Sequence, residues 1–111
     1  MGVLQEKISK LIQQELSMLF QKDEHYWFEG TMVSVSVVRV TADLSLAKVY
    51  ISAFGKKKPQ EILDILNEHV HEVRFALGNR IKNKVRKIPE LRFYIDDSLE
   101  YAQKIDELLK N

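Results

Sequence analysis

The sequence predicts an α+β domain: a three-stranded sheet covered on one face by helices. Three observations carry this expectation. Two alternating runs rich in valine and isoleucine lie back to back at 31–40 and 44–54, a third short alternating run follows Pro89, and apolar residues at helical spacing precede, separate and follow them. At 111 residues and 45% hydrophobic, residues 1–111 suffice for one domain with a real core.

Leu4, Ile8, Leu11, Ile12, Leu16 and Leu19 recur at helical spacing among charged and amide residues, which predicts an amphipathic helix over 3–22. Residues 23–30 break that period and carry the cluster Tyr26, Trp27 and Phe28, expected to plug an edge of the core. In the first strand Val33, Val35 and Val37 alternate with serine, and the phase slips at Val37-Val38, where a bulge or bend is expected. Thr41-Ala42-Asp43 forms a short turn into a second, hairpin-paired strand with Ala47, Val49, Ile51 and Ala53 on one side and Lys48, Tyr50 and Ser52 on the other. After the loop Gly55-Lys56-Lys57-Lys58, Pro59 opens a helix whose stripe Ile62, Leu66, Val70, Val73 and Leu77 runs to about Gly78. Ile81, Val85 and Ile88 then resume helical spacing with no room for a loop, so a kinked helix is expected at Ala76-Leu77-Gly78. Pro89 stops it. Leu91, Phe93 and Ile95 form the third strand, and Asp97 with Glu100 resembles the start of a last helix carrying Leu99, Ala102, Ile105, Leu108 and Leu109.

The net charge is only +1, but it is unevenly spread. Residues 74–92 hold seven cations against the single acid Glu90, a net +6, which leaves −5 on the rest of the chain. A localised basic segment on an otherwise acidic protein favours a polyanionic partner. The chain has no cysteine, which excludes disulfides, thiolate metal sites and cysteine nucleophiles. No apolar run approaches the ~20 residues of a membrane span, so a cytoplasmic protein with no membrane partner is expected. His71-Glu72 is followed by Phe75 where a zinc-protease motif needs histidine, and no phosphate-loop, nucleophile-elbow or dinucleotide signature occurs. No catalytic residue, metal site or cofactor is therefore expected; His69 reads as a packing residue.

The element order, with a glycine at a helix junction and a basic stretch behind it, resembles the type II KH-like fold. Two blocks resemble one family more specifically. Ala42-Asp43-Leu44-Ser45-Leu46-Ala47-Lys48-Val49-Tyr50-Ile51-Ser52 is similar to the second-strand signature of ribosome-binding factor A. Ile88-Pro89-Glu90-Leu91-Arg92-Phe93-Tyr94-Ile95-Asp96-Asp97-Ser98-Leu99-Glu100-Tyr101 is similar to its C-terminal signature, and Ala76-Leu77-Gly78 to the Ala-x-Gly element that replaces the Gly-x-x-Gly loop of ordinary KH domains. The chain departs from the family after the first helix, where Lys22-Asp23-Glu24-His25 replaces an Asp-Pro-Arg element. The resemblance implies a non-enzymatic factor, expected as a monomer. It binds the free or immature small ribosomal subunit and its rRNA, assists late rRNA processing and assembly, and matters most in the cold.

On this reading Arg74, Asn79, Arg80, Lys82, Lys84, Arg86 and Lys87 are the expected RNA contacts, with Arg80 and its successors spread over the side of the kinked helix left free by Ile81, Val85 and Ile88. Asn79 is expected to cap the second helix segment, while Ala76 and Gly78 serve the bend. Lys56-Lys57-Lys58 reads equally as a second phosphate contact or as a soluble loop. Tyr50, Tyr94, Lys48 and Arg92 share the uncovered sheet face, where cross-strand pairing is preferred over a stacking platform. The alternative function is a KH-like protein-interaction domain without direct RNA contact.

Overall fold

The computed structural model describes residues 2–96; the expected last helix and its Asp97–Glu100 start lie outside them. The elements are α1 (Val3–Lys22), β1 (Met32–Val40), β2 (Leu46–Phe54), α2 (Pro59–Glu68), α3 (Val70–Ile81) and β3 (Glu90–Ile95). The sheet order is β1-β2-β3, with β1 antiparallel and β3 parallel to β2, so α2 and α3 form the crossover between parallel neighbours. This is the α+β, type II KH-like architecture that the sequence implies.

Strand alternation builds the core. Val33, Val35, Ala47, Val49, Ile51, Leu91 and Phe93 are buried on one sheet face, and α1 lays Ile8, Ile12, Leu16 and Phe20 against it while Ile62, Leu66, Val73, Leu77 and Ile81 complete the layer from α2 and α3. The phase slip in β1 is a register shift between Val35 and Val37, one residue before the expected Val37-Val38. It turns Val38 and Val40 inward and leaves Val37 exposed. A bulge frees backbone carbonyls, and Gln13 of α1 satisfies them by donating from Nε2 to the carbonyls of Val35 at 3.3 Å and Ser36 at 3.0 Å.

Of the aromatic cluster after α1, Phe28 is fully buried in the core, its ring edge-on to Phe20 at 5.6 Å, and Trp27 packs against the core's edge. Trp27 is half-buried and Tyr26 is 81% exposed. Asp23, left-handed at the end of α1, shapes this segment: its carboxylate accepts from the N–H groups of Trp27 at 2.9 Å and Phe28 at 3.1 Å. After β2, Gly55 has φ +143°, and a Cβ there would sit 2.8 Å from the Thr31 Cα, so the turn into α2 requires glycine.

The expected kink at Ala76-Leu77-Gly78 is displaced. Helix α3 runs unbroken through Gly78 to Ile81, and the break between helices falls at His69, whose φ −107° and ψ 22° leave the helical range. The His69 ring stacks on Trp27 at 4.4 Å, and its Nδ1 lies 3.2 Å from the Glu72 carboxylate, so tertiary contacts hold the non-helical conformation. Nothing at Gly78 requires glycine: a Cβ there would meet Ile88 Cγ1 at an ordinary contact distance of 3.5 Å. The helix also fails to continue under Val85 and Ile88: 82–84 are turn and 85–89 irregular. Continuing it would align Arg80 with Lys84 and Lys82 with Arg86, like-charged pairs four residues apart, while Pro89 removes a donor just before β3.

Candidate nucleic-acid interface

The basic connection 82–89 leaves α3 and enters β3. Its start is tightened by the Lys84 and Val85 N–H groups, which donate to the Ile81 carbonyl at 2.8 and 3.2 Å. Its end is clasped by Arg74 of α3, whose Nε donates to the Pro89 carbonyl at 3.0 Å and Nη2 to the Ile88 carbonyl at 2.6 Å. Val85 and Ile88 are half-buried against the core. Backbone and apolar groups thus anchor the connection on the inside, leaving its cations outside.

The seven expected contact residues divide accordingly. Arg74 is half-buried and occupied with the clasp. Arg80 donates from Nε to the Glu15 carboxylate of α1, with both side chains largely covered, and Nη2 reaches Met18 Sδ at 3.6 Å. That pair ties α3 to α1 and neutralises one cation, a partnership invisible in the sequence because Glu15 lies 65 positions away. Lys82, Lys84, Arg86 and Lys87 are exposed, and none has an ion-pair partner among the described residues. Asn79 is exposed inside α3, so it does not cap a second helix segment; the helix simply passes through it. Ala76 and Gly78 line different crevices of α3: Ala76 shares one with Trp27 and Phe28, Gly78 another with Ile88.

Two open grooves adjoin the connection. One is lined by His71, Arg74, Phe75, Gly78, Asn79, Lys82 and Ile88, the other by Ser45, Leu46, Arg74, Lys87, Ile88, Glu90 and Arg92. They meet at Arg74 and Ile88. Phe75, 73% exposed, stands in the first groove beside Lys82, which couples an aromatic face to a cation as in surfaces that hold single-stranded nucleic acid. Sequence reasoning passed over Phe75. The signal was available: it lies off the stripe Val70, Val73, Leu77, so a helical wheel turns it to solvent.

Elsewhere the expected alternatives resolve unevenly. Lys57 pairs with Glu29 at 3.6 Å and its N–H donates to Thr31 Oγ1 at 2.9 Å, so it belongs to the turn, while Lys56 and Lys58 are exposed. His69 serves packing, as expected. Tyr50 and Tyr94 stack across β2 and β3 with ring centres 5.3 Å apart, the preferred cross-strand pair. The turn 41–45 is held by Asp43, whose carboxylate accepts from the Ser45 and Thr41 hydroxyls at 2.7 and 2.8 Å and from the Ser45 N–H. These bonds, the Ser45 hydroxyl foremost, lower its pKa from 3.8 to about 2. Among the described residues no three His, Asp or Glu are placed to hold a metal ion, and no helix is long and apolar enough to cross a membrane.

Comparison with known proteins finds relatives in sequence and in fold. The sequence profile described as ribosome-binding factor A matches residues 4–109. Ribosome-binding factor A of Cytophaga hutchinsonii is 39% identical over 108 residues, covering 97% of this chain and 81% of that one. The crystal structure of ribosome-binding factor A from Thermus thermophilus superposes with a TM-score of 0.69 at 23% identity, over 82% of this chain and 94% of that one. A homology model of the Thermus thermophilus factor, fitted into a cryo-EM map of a 30S–factor complex, superposes with a TM-score of 0.65 at 22% identity, over 88% and 97% of the two chains.

Proposed function

Since the chain belongs to the ribosome-binding factor A family, we propose that it binds the free or immature small ribosomal subunit through its rRNA and assists late rRNA processing and assembly, acting by binding rather than catalysis. It works as a cytoplasmic monomer, most needed in the cold, where misfolded RNA rearranges slowly. The Thermus thermophilus relative fitted into a 30S complex supports the partner. The observation that carries the reading is the group Lys82, Lys84, Arg86 and Lys87, exposed and without an ion-pair partner among the described residues, on an anchored connection beside Phe75. Such side chains meet phosphates and position the domain without reading bases; selectivity then comes from RNA shape and single-stranded ends.

The test uses purified small subunits in sedimentation. Replacing Lys82, Lys84 and Arg86 by Glu reverses three exposed charges and leaves the core untouched, so the fold should persist. Binding should fall by at least ~100-fold, and wild-type affinity should drop with salt at a log–log slope no shallower than about −3, the four exposed cations of the connection contributing roughly 0.7 each. Growth of a strain lacking the factor should be rescued in the cold by wild type and not by this variant. A folded triple variant that sediments normally with small subunits would refute the assignment, and a nearly flat salt dependence would favour the protein-interaction reading.

A further inference from the structure

The sheet face turned away from the helices carries a second constellation. Register places Arg39 of β1 beside Lys48 of β2, and Lys48 beside Arg92 of β3, so each strand contributes one cation to a single row. The next row holds Val37, Tyr50 and Tyr94. Their sequence neighbours Val38, Val40, Val49, Leu91 and Phe93 are buried beneath the helices, which assigns both rows to the side that α1, α2 and α3 leave free. Arg39 and Arg92 are exposed and Lys48 is half-exposed. None of the three has an ion-pair partner among the described residues. The acids on β3 and just beyond it, Glu90 and Asp96, stand outside the row: Glu90 is opposite Leu46, and Asp96 follows the strand past Tyr94.

Three like charges on directly opposed positions repel one another and weaken the sheet, so this row does nothing for the fold alone. A polyanion laid across it relieves the repulsion. The adjoining Tyr50–Tyr94 stack, with rings 24° from parallel, offers a flat half-exposed face to an unpaired base. The row is also continuous with the proposed RNA contact, because Arg92 lines the same groove as Lys87 and Arg74 where β3 begins.

We propose that single-stranded RNA held at the 82–89 connection passes round the start of β3 onto the open sheet face. There its phosphates meet Arg92, Lys48 and Arg39, and a base stacks on the tyrosine pair. This rests on the RNA-binding reading above and extends it to a second face.

The experiment measures binding of a fluorescein-labelled oligouridine of about 12 nucleotides to the full chain by anisotropy across a salt series. The variant Arg39→Gln/Lys48→Gln/Arg92→Gln removes the row's charge and its repulsion, so its thermal midpoint should equal or exceed that of wild type. Its affinity should fall roughly 10- to 100-fold and its log–log salt slope should flatten by about 2, three phosphates at roughly 0.7 each. Tyr94→Ala should weaken binding about tenfold with the slope unchanged, as loss of stacking requires. With wild-type protein, a 4-thiouridine oligonucleotide should cross-link to peptides containing Tyr50 or Tyr94. If the Lys82/Lys84/Arg86 charge-reversal variant loses binding while the sheet variants bind as wild type, the open-face proposal is overturned and the RNA reading stands. If that charge-reversal variant binds oligouridine normally, both fall. Sheet variants that lose small subunits yet keep oligouridine also overturn it, as do cross-links confined to residues 75–87.

Discussion

The turn 41–45 and the connection 82–89 lie side by side, joined by the Glu90 N–H donating to the Ser45 carbonyl at 2.9 Å and bordering one crevice through Leu44, Lys84 and Val85. They treat their polar groups in opposite ways. In the first, Asp43 accepts from its own neighbours, the Leu44 N–H donates to the Thr41 carbonyl, and Thr41 closes the loop by bonding both ways with Leu46. Its charge is consumed locally, and the chain there accepts a left-handed Leu44, φ 61°, to make those bonds. In the second, the backbone is clasped from another element by Arg74, and the cations of the connection are exposed with no ion-pair partner among the described residues. One segment uses its charge within the fold; the other leaves it exposed.

Removing the clasp tests this contrast most severely. Arg74→Met keeps the aliphatic bulk but strips the Ile88 and Pro89 carbonyls of a charged donor, and should cost about 2 kcal/mol in urea unfolding. Hydrogen exchange should quicken over 82–89 while 41–45 stays protected. An unchanged denaturation midpoint would mean that the connection holds its shape without Arg74.

A smaller loss is expected at the self-contained turn. Asp43→Ala should lower the thermal midpoint at neutral pH without altering RNA affinity. Because the folded carboxyl is depressed from 3.8 to about 2, its contribution is complete above pH 3.8 and disappears as pH falls through about 2. Wild type and variant should therefore converge between pH 4 and pH 2 in a melting series. A gap that persists at pH 2, or weakened RNA binding at pH 7, would blur the distinction between the two segments.

The smallest effect, a gain, belongs to Gly78→Ala. The glycine is helical and an added methyl meets Ile88 at ordinary contact distance, so alanine should stabilise by up to about 1 kcal/mol. Subunit binding should be unchanged, since no bend is needed there. A lowered midpoint would show instead that Ile88 cannot yield and that the end of the connection is packed more tightly than its neighbour.

Much of the fold was legible because period and side-chain type act locally. The alternation of Val33, Val35, Ala47, Val49 and Ile51 leaves one buried face, and the sharp start of α2 follows from Pro59 at its first position. The helix break was misplaced for a physical reason. Glycine permits a bend without demanding one, so Gly78 carried a false signal, whereas His69 departs from helical angles because Trp27, from a distant segment, stacks on its ring. Similarly, Ile81, Val85 and Ile88 keep helical spacing although only Ile81 is helical, since a turn anchored at both ends can also direct Val85 and Ile88 inward.

For the site, the sequence by itself determined the segregation of charge, the absence of thiol chemistry and the location of the basic segment, since these depend only on which residues occur and where. Which cations remain available was a tertiary decision. Glu15 of α1 takes Arg80, the carbonyls before β3 take Arg74, and strand register aligns Arg39, Lys48 and Arg92 from three separate stretches of chain. Each of these depends on groups far apart in sequence being brought within a few ångströms, and periodicity along the chain holds no record of such distances.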